Sequence, residues 1–312
     1  MLDDTAAGLP TCSNCWATIS TRKAQNFLAK LNINVSHVTV KKCIEELHYS
    51  LQSNRRFVGE HDPKGKYQRR LINRAKKMFI MAGCPVISVD CKKKENIGNY
   101  YNQGKSYCPK GSPTLVNSYD FVDTTVGKAI PYGVYDPVLN KGFISLGCSA
   151  DTAEFAVNTI KAWYANYGCK LYPNTKHLLI LADGGGSNSS RSRLWKKCLS
   201  EFADTYKLTI TVLHFAPGDS KYNPIEHKLF SYISMNWRGH PLSSMEIMKE
   251  FICHTTTNAD TPLNVDCQLD TKKYQTGIKV DSKLIDTMIA NKQLRKGKCH
   301  KDWIYRIYPN RM

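Results

Sequence analysis

Continuous apolar runs of strand length recur through the central part of the chain. Five of them occupy residues 85–90 (PVISVD), 130–136 (IPYGVYD), 142–149 (GFISLGCS), 177–183 (HLLILAD) and 208–215 (LTITVLHF). Each run is short, rich in β-branched and aromatic residues, and bounded by turn-forming or charged positions, which is typical of buried β-strands. The pattern therefore predicts a sheet of these five strands, with the turn PVLN joining the second to the third.

Helical periodicity fills the intervals after the third run. Asp151 and Glu154 have the spacing of a capping box, and Gly168 stands where a helix often stops. The apolar stripe between them consists of Ala153, Val157, Ile160, Tyr164 and Tyr167. Two more helices are predicted, one from about Ser190 to Tyr206 and one that opens at Pro224. The order βββαβαβα indicates an α/β fold in which helices flank a mixed sheet, the ribonuclease H-like arrangement.

The N-terminal part has the periodicity of two short helices. Apolar positions of residues 21–31 share one face, and Ser36 can cap a second helix that begins at His37. The apolar positions are Ala24, Phe27, Leu28 and Leu31 in the first helix, and Val38, Val40, Ile44 and Leu47 in the second helix. The spacing predicts a helix-turn-helix region whose second helix presents His37, Thr39, Lys41 and Lys42 to a DNA groove. A plain helical hairpin has the same pattern.

Residues 54–77 are strongly basic, with nine arginines and lysines against two acids. The first part contains Gly, Pro and polar residues, as a linker does. The second part places Tyr67, Leu71, Ala75 and Met78 on one helical stripe and basic residues on the opposite face. Next to a candidate DNA-reading helix, this segment favours phosphate contacts, for which the candidates are Arg55, Arg56, Arg69 and Arg70.

The charge of the whole chain points to a polyanionic partner. Its 312 residues include 44 Lys and Arg against 26 Asp and Glu, a formal net charge of +18. Such an excess favours salt-sensitive binding to nucleic acid, although a basic enzyme of another kind has the same composition. No apolar run approaches the ~20 residues of a membrane span, and the start has no signal-peptide pattern, so we expect a soluble intracellular protein.

The twelve cysteines form no strong metal-binding motif. Cys12 and Cys15 make a C-x-x-C, but no second Cys or His pair follows at zinc-finger spacing. The others are scattered, several of them through apolar segments, as buried thiols often are. We therefore expect free thiols in a reducing compartment, with a metal or redox role for the C-x-x-C pair as the minor alternative.

The glycine-rich turn after the fourth predicted strand has two interpretations. Gly184, Gly186 and Ser189 nearly fit a dinucleotide-binding fingerprint between a strand and a helix. That scheme expects an acid at the end of the next strand, which instead ends in His214 and Phe215, and it expects the motif on the first strand. In the alternative, the functional residue is Asp183, and the glycines let the backbone turn sharply away from the strand.

Three acids fit the second interpretation. Asp90 ends the first strand, Asp183 ends the fourth, and Glu226 lies in the first turn of the last helix. The predicted order places the two aspartates on neighbouring central strands, so three carboxylates converge. Such a cluster can bind two divalent ions for an in-line phosphodiester displacement, and oxygen-only ligands suit Mg²⁺ or Mn²⁺ rather than zinc. Ser187 and Asn188 are candidates to orient Asp183, or they simply form the turn.

Several long segments resemble one family. PVISVDCKKKENIGNY, GKAIPYGVYD, DTAEFAVNTIKAWY, LLILADGGGSN, SKYNPIEHKLFSYISMNWRG and LDTKKYQTGIKV are similar to the Rhodopirellula-type DDE transposases of bacterial insertion sequences, relatives of the mariner-like superfamily. The resemblance implies a ribonuclease H-like domain that cuts transposon ends and joins the freed 3′-hydroxyl to target DNA with two Mg²⁺ or Mn²⁺ ions. It assigns the acids to Asp90, Asp183 and Glu226. Nearby candidates for DNA phosphate contacts are Lys92, Lys93 and Arg191.

The resemblance also sets an expected domain plan. Residues 1–53 would be the helix-turn-helix region, 54–82 the basic linker and helix, 83–240 the catalytic domain, and 241–312 its C-terminal extension. Because family members carry further helical sequence ahead of the region that matches Thr21, a truncated end-recognition region is expected. Partners would be transposon ends, target DNA and a second protomer, in the bacterial cytoplasm at the nucleoid or in a eukaryotic nucleus. A silent DNA-binding remnant and a nuclease without strand transfer are the alternatives.

Overall fold

The computed structural model describes residues 6–7, 16–17, 20–47, 49–51, 63–118, 127–297 and 300–310; for 6–7, 16–17 and 63–64 only the backbone is considered. The chain divides into two compact units, Met1–Gly59 and Glu60–Met312. Cys12, Cys15, Arg55 and Arg56 lie outside the described residues.

The first unit contains the two predicted helices. Short strands β1 (Ala6–Ala7) and β2 (Trp16–Ala17) pair antiparallel, and helices α1 (Thr21–Lys30) and α2 (His37–Glu46) follow. Ser36 caps α2 as expected, since its hydroxyl accepts a hydrogen bond from the Thr39 backbone N–H at 3.1 Å. Of the apolar positions predicted for α2, Val40 is buried, whereas Val38 and Leu47 are exposed and so do not pack in a core. The helix-turn-helix assignment stays a prediction.

The second unit contains the remaining elements. Its helices are α3 (Pro63–Met81), α4 (Ala153–Trp163), α5 (Cys169–Leu171), α6 (Arg193–Tyr206), α7 (Ser231–Asn236), α8 (Met245–Cys253) and α9 (Ser282–Ala290). Its strands are β3 (Val86–Cys91), β4 (Glu95–Asn96), β5 (Lys128–Asp136), β6 (Lys141–Gly147), β7 (His177–Ala182), β8 (Thr209–His214), β9 (Asn264–Asp270), β10 (Leu294–Lys296) and β11 (Ile304–Ile307). All five predicted strands are therefore present, with bounds within a few residues of the expected ones.

The sheet confirms the predicted ribonuclease H-like topology. The strand order is β10-β11-β8-β7-β3-β5-β6-β9, with β4 paired to β5. Strands β3, β5 and β6 form an antiparallel meander, and β7 and β8 run parallel to β3. The C-terminal residues add strands to both edges, since β9 pairs parallel with β6 and β11 pairs antiparallel with β8. The sequence pattern did not predict these edge strands.

Helices bury both faces of the sheet, which explains the continuous apolar runs. Alternate residues of β7 face opposite sides: Leu178 and Ile180 pack in the core under α4 and α6, whereas Leu179 and Leu181 pack under α3. On the α3 face, residues 225–233 and α8 cover the neighbouring strands β5 and β6. The helix that opens at Pro224 is therefore held directly against the central meander.

Two predicted helix ends differ from the structure. Thr152, not Asp151, caps α4, since its hydroxyl accepts from the Phe155 backbone N–H at 3.2 Å. The helix also does not stop at Gly168, but continues through a π-helical turn, Tyr164–Gly168, to Leu171. A β-carbon at Gly168 would lie 2.7 Å from the Tyr164 ring, so this glycine permits tight packing within the helix instead of ending it.

The predicted apolar stripe of the basic helix is also wrong in part. Tyr67 and Met78 are exposed, and the buried positions of α3 are Gly65, Gln68 and Ile72. The Gln68 side-chain amide donates to the backbone carbonyl of His214 at 2.7 Å. Because the polar residue Gln68 faces inward, a prediction from apolar residues alone placed the buried stripe one residue away from its true position. None of the helices in the described ranges is long and apolar enough to cross a membrane.

Candidate active site

Asp90 and Asp183 lie side by side at the carboxyl ends of two central strands. Strands β3 and β7 are parallel neighbours whose register pairs Val89 with Ala182, so the next residue of each strand is an aspartate at the same level. Asp90 is 7% exposed, and Asp183 is half-buried. The carboxyl end of a parallel sheet at a change of strand order is where open α/β sheets place their ligands. This is the arrangement that the order of elements predicts.

Glu226 joins the two aspartates from the other side. It lies in the first turn of the helix that opens at Pro224, at the start of a π-helical turn, Glu226–Phe230. It lies close enough to Asp90 for its charge to help raise the pKa of that aspartate. The structure thus brings together all three acids that the sequence singled out, from three separate elements.

The pKa of Asp90 reflects its burial and the closeness of the other acids. Burial raises the pKa of Asp90 to about 8, with further increases from the charges of Asp183 and Glu226. Burial also raises the pKa of Asp183, to which the charge of Asp151 adds. A carboxyl group in such a site gains free energy from any neighbouring positive charge. The cluster is therefore suited to cation binding.

Two asparagine side chains hold the carboxylates from either side. The Asn188 amide nitrogen donates to Asp90 Oδ1 at 3.2 Å and lies 3.5 Å from Asp183 Oδ1, so one group contacts both aspartates. The buried Tyr132 hydroxyl donates to Asn188 Oδ1 and fixes the orientation of that amide. The expected role of Asn188 in orienting Asp183 agrees with these contacts. Its neighbour Ser187 is buried, and the Ser187 hydroxyl has no hydrogen-bond partner among the described residues.

The second asparagine, Asn223, links the strand of Asp90 to the helix of Glu226. Its amide nitrogen lies 3.4 Å from both Asp90 Oδ2 and the Val89 carbonyl oxygen. The buried hydroxyl of Ser88 donates to Asn223 Oδ1 and accepts from the Ile225 backbone N–H at 3.2 Å. Ser88 and Asn223 were not among the predicted site residues. Two features of the sequence could have identified them: Ser88 is a polar residue inside a buried apolar run, and Asn223 directly precedes the proline that opens a helix.

The donor chemistry of the site fits a divalent cation. Among the described residues, no set of three or more His, Cys, Asp and Glu side chains is already arranged as metal ligands. The acids nevertheless offer oxygen donors only, the set that Mg²⁺ and Mn²⁺ prefer. Asp151, which was missed as a site residue, adds a fourth carboxyl group near Asp183. Its Oδ1 atom is buried without a hydrogen-bond partner.

Comparison with known proteins identifies the family. The family model of the Rhodopirellula transposase DDE domain matches residues 1–309. The chain belongs to this family. The match includes the residues before Thr21, which lie ahead of the region in which the resemblance was noted. No curated protein matches the chain.

Solved structures of Mos1 transposase are similar to this DDE-domain chain. The "Mos1 transposase paired-end complex with left transposon end" is 15% identical, with a TM-score of 0.44 over 78% of this chain and 73% of that chain. The "pre-cleavage Mos1 transpososome" is 15% identical, with a TM-score of 0.45 over 79% of this chain and 72% of that chain.

Two of the cations expected to contact DNA are paired within this DDE domain. The Lys92 ammonium lies 2.6 Å from Glu95 and 4.5 Å from the centre of the Trp237 ring, and Lys92 is 8% exposed. The Arg69 guanidinium forms an ion pair with Asp219 and lies over the Tyr222 ring at 4.6 Å. Both side chains stabilise the fold around the site, and neither is a free surface charge.

The other described candidates for DNA contact are exposed. They are Arg70, Lys93 and Arg191 in the larger unit and Thr39, Lys41 and Lys42 on α2 in the smaller one. Lys41 also forms an exposed ion pair with Glu45 at 3.6 Å, an interaction that contributes little in water. DNA contact by these six residues stays a prediction.

Replacing Ser88 with alanine is expected to cause a large loss of DNA cleavage rate and a modest loss of folding stability. The change leaves Asn223 Oδ1 and the buried Ile225 N–H unpaired, a cost of about 1–3 kcal/mol in stability. It also frees the start of the Glu226 helix from the strand of Asp90, so we expect at least a tenfold loss of cleavage rate. Cleavage kinetics and thermal melting measure the two effects.

Ser145→Ala is the matched control for this substitution. Ser145 is also a buried strand serine, and its hydroxyl accepts from the Gln268 amide at 2.9 Å. We expect a comparable loss of stability without the loss of rate. Equal rates for the two variants would show that the Ser88 contacts do not position Glu226.

Proposed function

We propose that this chain is a metal-dependent DNA transposase that cleaves phosphodiester bonds at transposon ends and joins the 3′-hydroxyl to target DNA. The observation that carries the proposal is the meeting of Asp90, Asp183 and Glu226 at the carboxyl end of the central strands, where the pKa of Asp90 is raised to about 8. Membership of the DDE-domain family supports the same conclusion.

In this proposal the three carboxylates hold two Mg²⁺ or Mn²⁺ ions. When bound, the ions supply activation of the attacking oxygen and stabilisation of the leaving oxygen in an in-line displacement. The protein supplies geometry: Asn188 aligns the two aspartates, and Ser88 with Asn223 fixes Glu226 relative to Asp90. Asp151 offers an oxygen to the outer hydration of the ions.

DNA binding in this proposal relies on positive charge. The net charge of +18 favours the phosphate backbone, and the exposed cations Arg70, Lys93 and Arg191 are the candidates near the catalytic domain. Thr39, Lys41 and Lys42 would contact the terminal repeats, and Arg55 and Arg56, which belong to the basic segment, would guide the DNA to the catalytic domain. Pairing two transposon ends needs at least two protomers, so we propose a dimer or higher oligomer on DNA, acting at the nucleoid in a bacterium or in the nucleus of a eukaryote.

The test is a joining assay with a labelled duplex from the DNA that flanks the coding sequence, a target plasmid and Mg²⁺. Wild-type protein is expected to give labelled plasmid, and Asp183→Ala is expected to give none while it still binds the duplex in a salt-sensitive way. Asp286→Ala, an exposed acid of α9, is the control and should join normally.

The outcomes separate the alternatives. Joined product that persists in Asp183→Ala would refute the assigned site. Cleavage without joining would instead make the protein a nuclease. Binding with neither reaction would make it a silent remnant, and either result overturns the proposal as stated.

A further inference from the structure

A chain of buried hydrogen bonds leads from helix α6 to the main chain of Asp183. The Trp195 indole nitrogen lies 2.7 Å from the Tyr305 hydroxyl, which lies 3.0 Å from His214 Nε2. His214 Nδ1 lies 2.7 Å from the backbone carbonyl oxygen of Asp183. The three side chains are at most 1% exposed, so the chain is sealed from solvent.

The direction of each hydrogen bond follows from the acceptor at the end of the chain, the Asp183 carbonyl oxygen. A carbonyl oxygen only accepts, so His214 Nδ1 carries the hydrogen that Asp183 receives. The Nε2 atom of the neutral ring is then the acceptor for the Tyr305 O–H, and the Tyr305 oxygen accepts the indole N–H of Trp195. Every polar atom of these side chains is thereby satisfied: the Asp183 carbonyl sets the Nδ1–H tautomer of His214, and the Tyr305 hydroxyl supports it by donating to Nε2.

The position of Asp183 in the sheet explains why its carbonyl needs this partner. The β7–β8 ladder ends where Ala182 pairs with His214, and the Phe215 backbone N–H donates to the Ala182 carbonyl at 2.9 Å. Asp183 lies one residue beyond that ladder and directly before the glycine-rich turn. The His214 side chain therefore continues, by one residue, the support that strand pairing gives to Ala182.

His214 itself is held from both sides. Its backbone carbonyl accepts from Gln68 of α3 at 2.7 Å, and its backbone N–H donates to the Trp303 carbonyl at 2.8 Å. Trp303 directly precedes β11, the strand that carries Tyr305. The last part of the chain thus fixes both the backbone and the ring of this histidine.

We propose that His214 is a positioning residue for the active site: with Tyr305 behind it, it fixes the Asp183 main chain and so the direction of the Asp183 carboxylate. The inference rests on the proposed function of Asp183 as a metal ligand. His214 and Tyr305 are both buried and act through Asp183. Residues that orient metal ligands in this way typically change metal affinity or activity by about 10–100-fold when they are removed.

The experiment compares Tyr305→Phe, His214→Leu and His214→Asn. The first removes the hydroxyl that donates to Nε2 of His214, the second removes the donor to Asp183, and the third retains an amide N–H near the position of Nδ1. We expect about tenfold weaker Mn²⁺ binding in calorimetric titrations of the DNA-free protein for the first two variants. His214→Asn should recover most of the loss.

Tyr274→Phe controls for a lost buried hydroxyl elsewhere. Tyr274 is 7% exposed, and its hydroxyl donates to Asp270 Oδ2 at 2.7 Å, outside the acid cluster. This variant should lose stability in thermal melting while its Mn²⁺ affinity stays at the wild-type value. Unchanged Mn²⁺ affinity in Tyr305→Phe, or equal affinities for His214→Leu and His214→Asn, would overturn the proposal.

A readout that requires neither metal nor DNA keeps this inference separate from the proposed function. Nitrogen NMR of ¹⁵N-histidine protein is expected to show His214 protonated at Nδ1 alone, with a weaker preference for this tautomer in Tyr305→Phe because the donor to Nε2 is lost. A wild-type His214 protonated at Nε2 refutes the positioning role by itself. The expected tautomer, combined with wild-type protein that binds no Mn²⁺, would instead refute the assignment of Asp183 as a metal ligand.

Discussion

Asp90→Asn is expected to make the metal-free protein more stable at pH 8 while abolishing DNA cleavage. The pKa of Asp90 is raised from 3.8 to about 8 by burial first, then by Asp183 and Glu226, so the folded state holds a proton that the unfolded chain releases. Wild-type stability therefore falls as the pH rises from about 4 to about 8. Asparagine is neutral throughout this window and escapes that loss.

The shift sets an upper limit of about 5 kcal/mol on the gain at pH 8, and the gain should shrink toward pH 4. Thermal melting in the presence of a chelator, at several pH values, measures it. Cleavage should fall to background, because the amide cannot supply the negative charge that a divalent ion requires. Asp286→Asn, on the exposed face of α9, should leave both properties unchanged. A pH dependence of melting that is identical in wild type and Asp90→Asn would contradict the raised pKa.

Gly133→Ala is expected to reduce cleavage by about 100-fold, because it moves the helix of Glu226 away from the sheet. Gly133 lies on β5 directly opposite Asp90. A β-carbon there would lie 2.7 Å from the Phe230 ring and 2.9 Å from Ile225 Cδ1, so the helix must shift. Overpacking of this kind costs about 1–3 kcal/mol.

Gly142→Ala tests whether that effect is specific. Gly142 lies on the adjacent strand β6, where a β-carbon would meet Leu229 Cδ1 at 2.5 Å, farther along the same helix. We expect a similar loss of stability and a smaller loss of cleavage, because the displacement occurs beyond Glu226. Cleavage rates and melting temperatures of both variants measure these two losses. A greater loss of rate in Gly142→Ala would show that Gly133 does not set the position of Glu226.

The sequence was sufficient for the central strands and the pairing of the aspartates because both follow from local pattern. Buried strands read as apolar runs, and in the ribonuclease H-like order of elements the fourth predicted strand lies parallel beside the first, which places Asp183 next to Asp90. The α3 stripe was misplaced because Gln68 is buried through its bond to a distant carbonyl. No local rule assigns a polar residue to such a position.

The supporting residues of the site were missed for the same reason. Ser88 contacts residues 135 and 137 positions away, and Tyr305 contacts His214 across 91 positions. These contacts exist only once the sheet is assembled, and each residue looks ordinary in its own segment. The strands at the sheet edges were missed because they are short or alternate polar with apolar residues, as in Asn264–Asp270.

The position of β11 has a consequence for judging which genomic copies of such an element are mobile. Strand β11 lies beyond β8 at the sheet edge and carries Tyr305 against His214. A copy interrupted by a stop codon between Glu226 and Tyr305 would keep all three acids in its reading frame. It would nevertheless lose the strand that supports the Asp183 main chain. An inventory of mobile copies should therefore require an open reading frame through the final strand, and not the acidic signature alone.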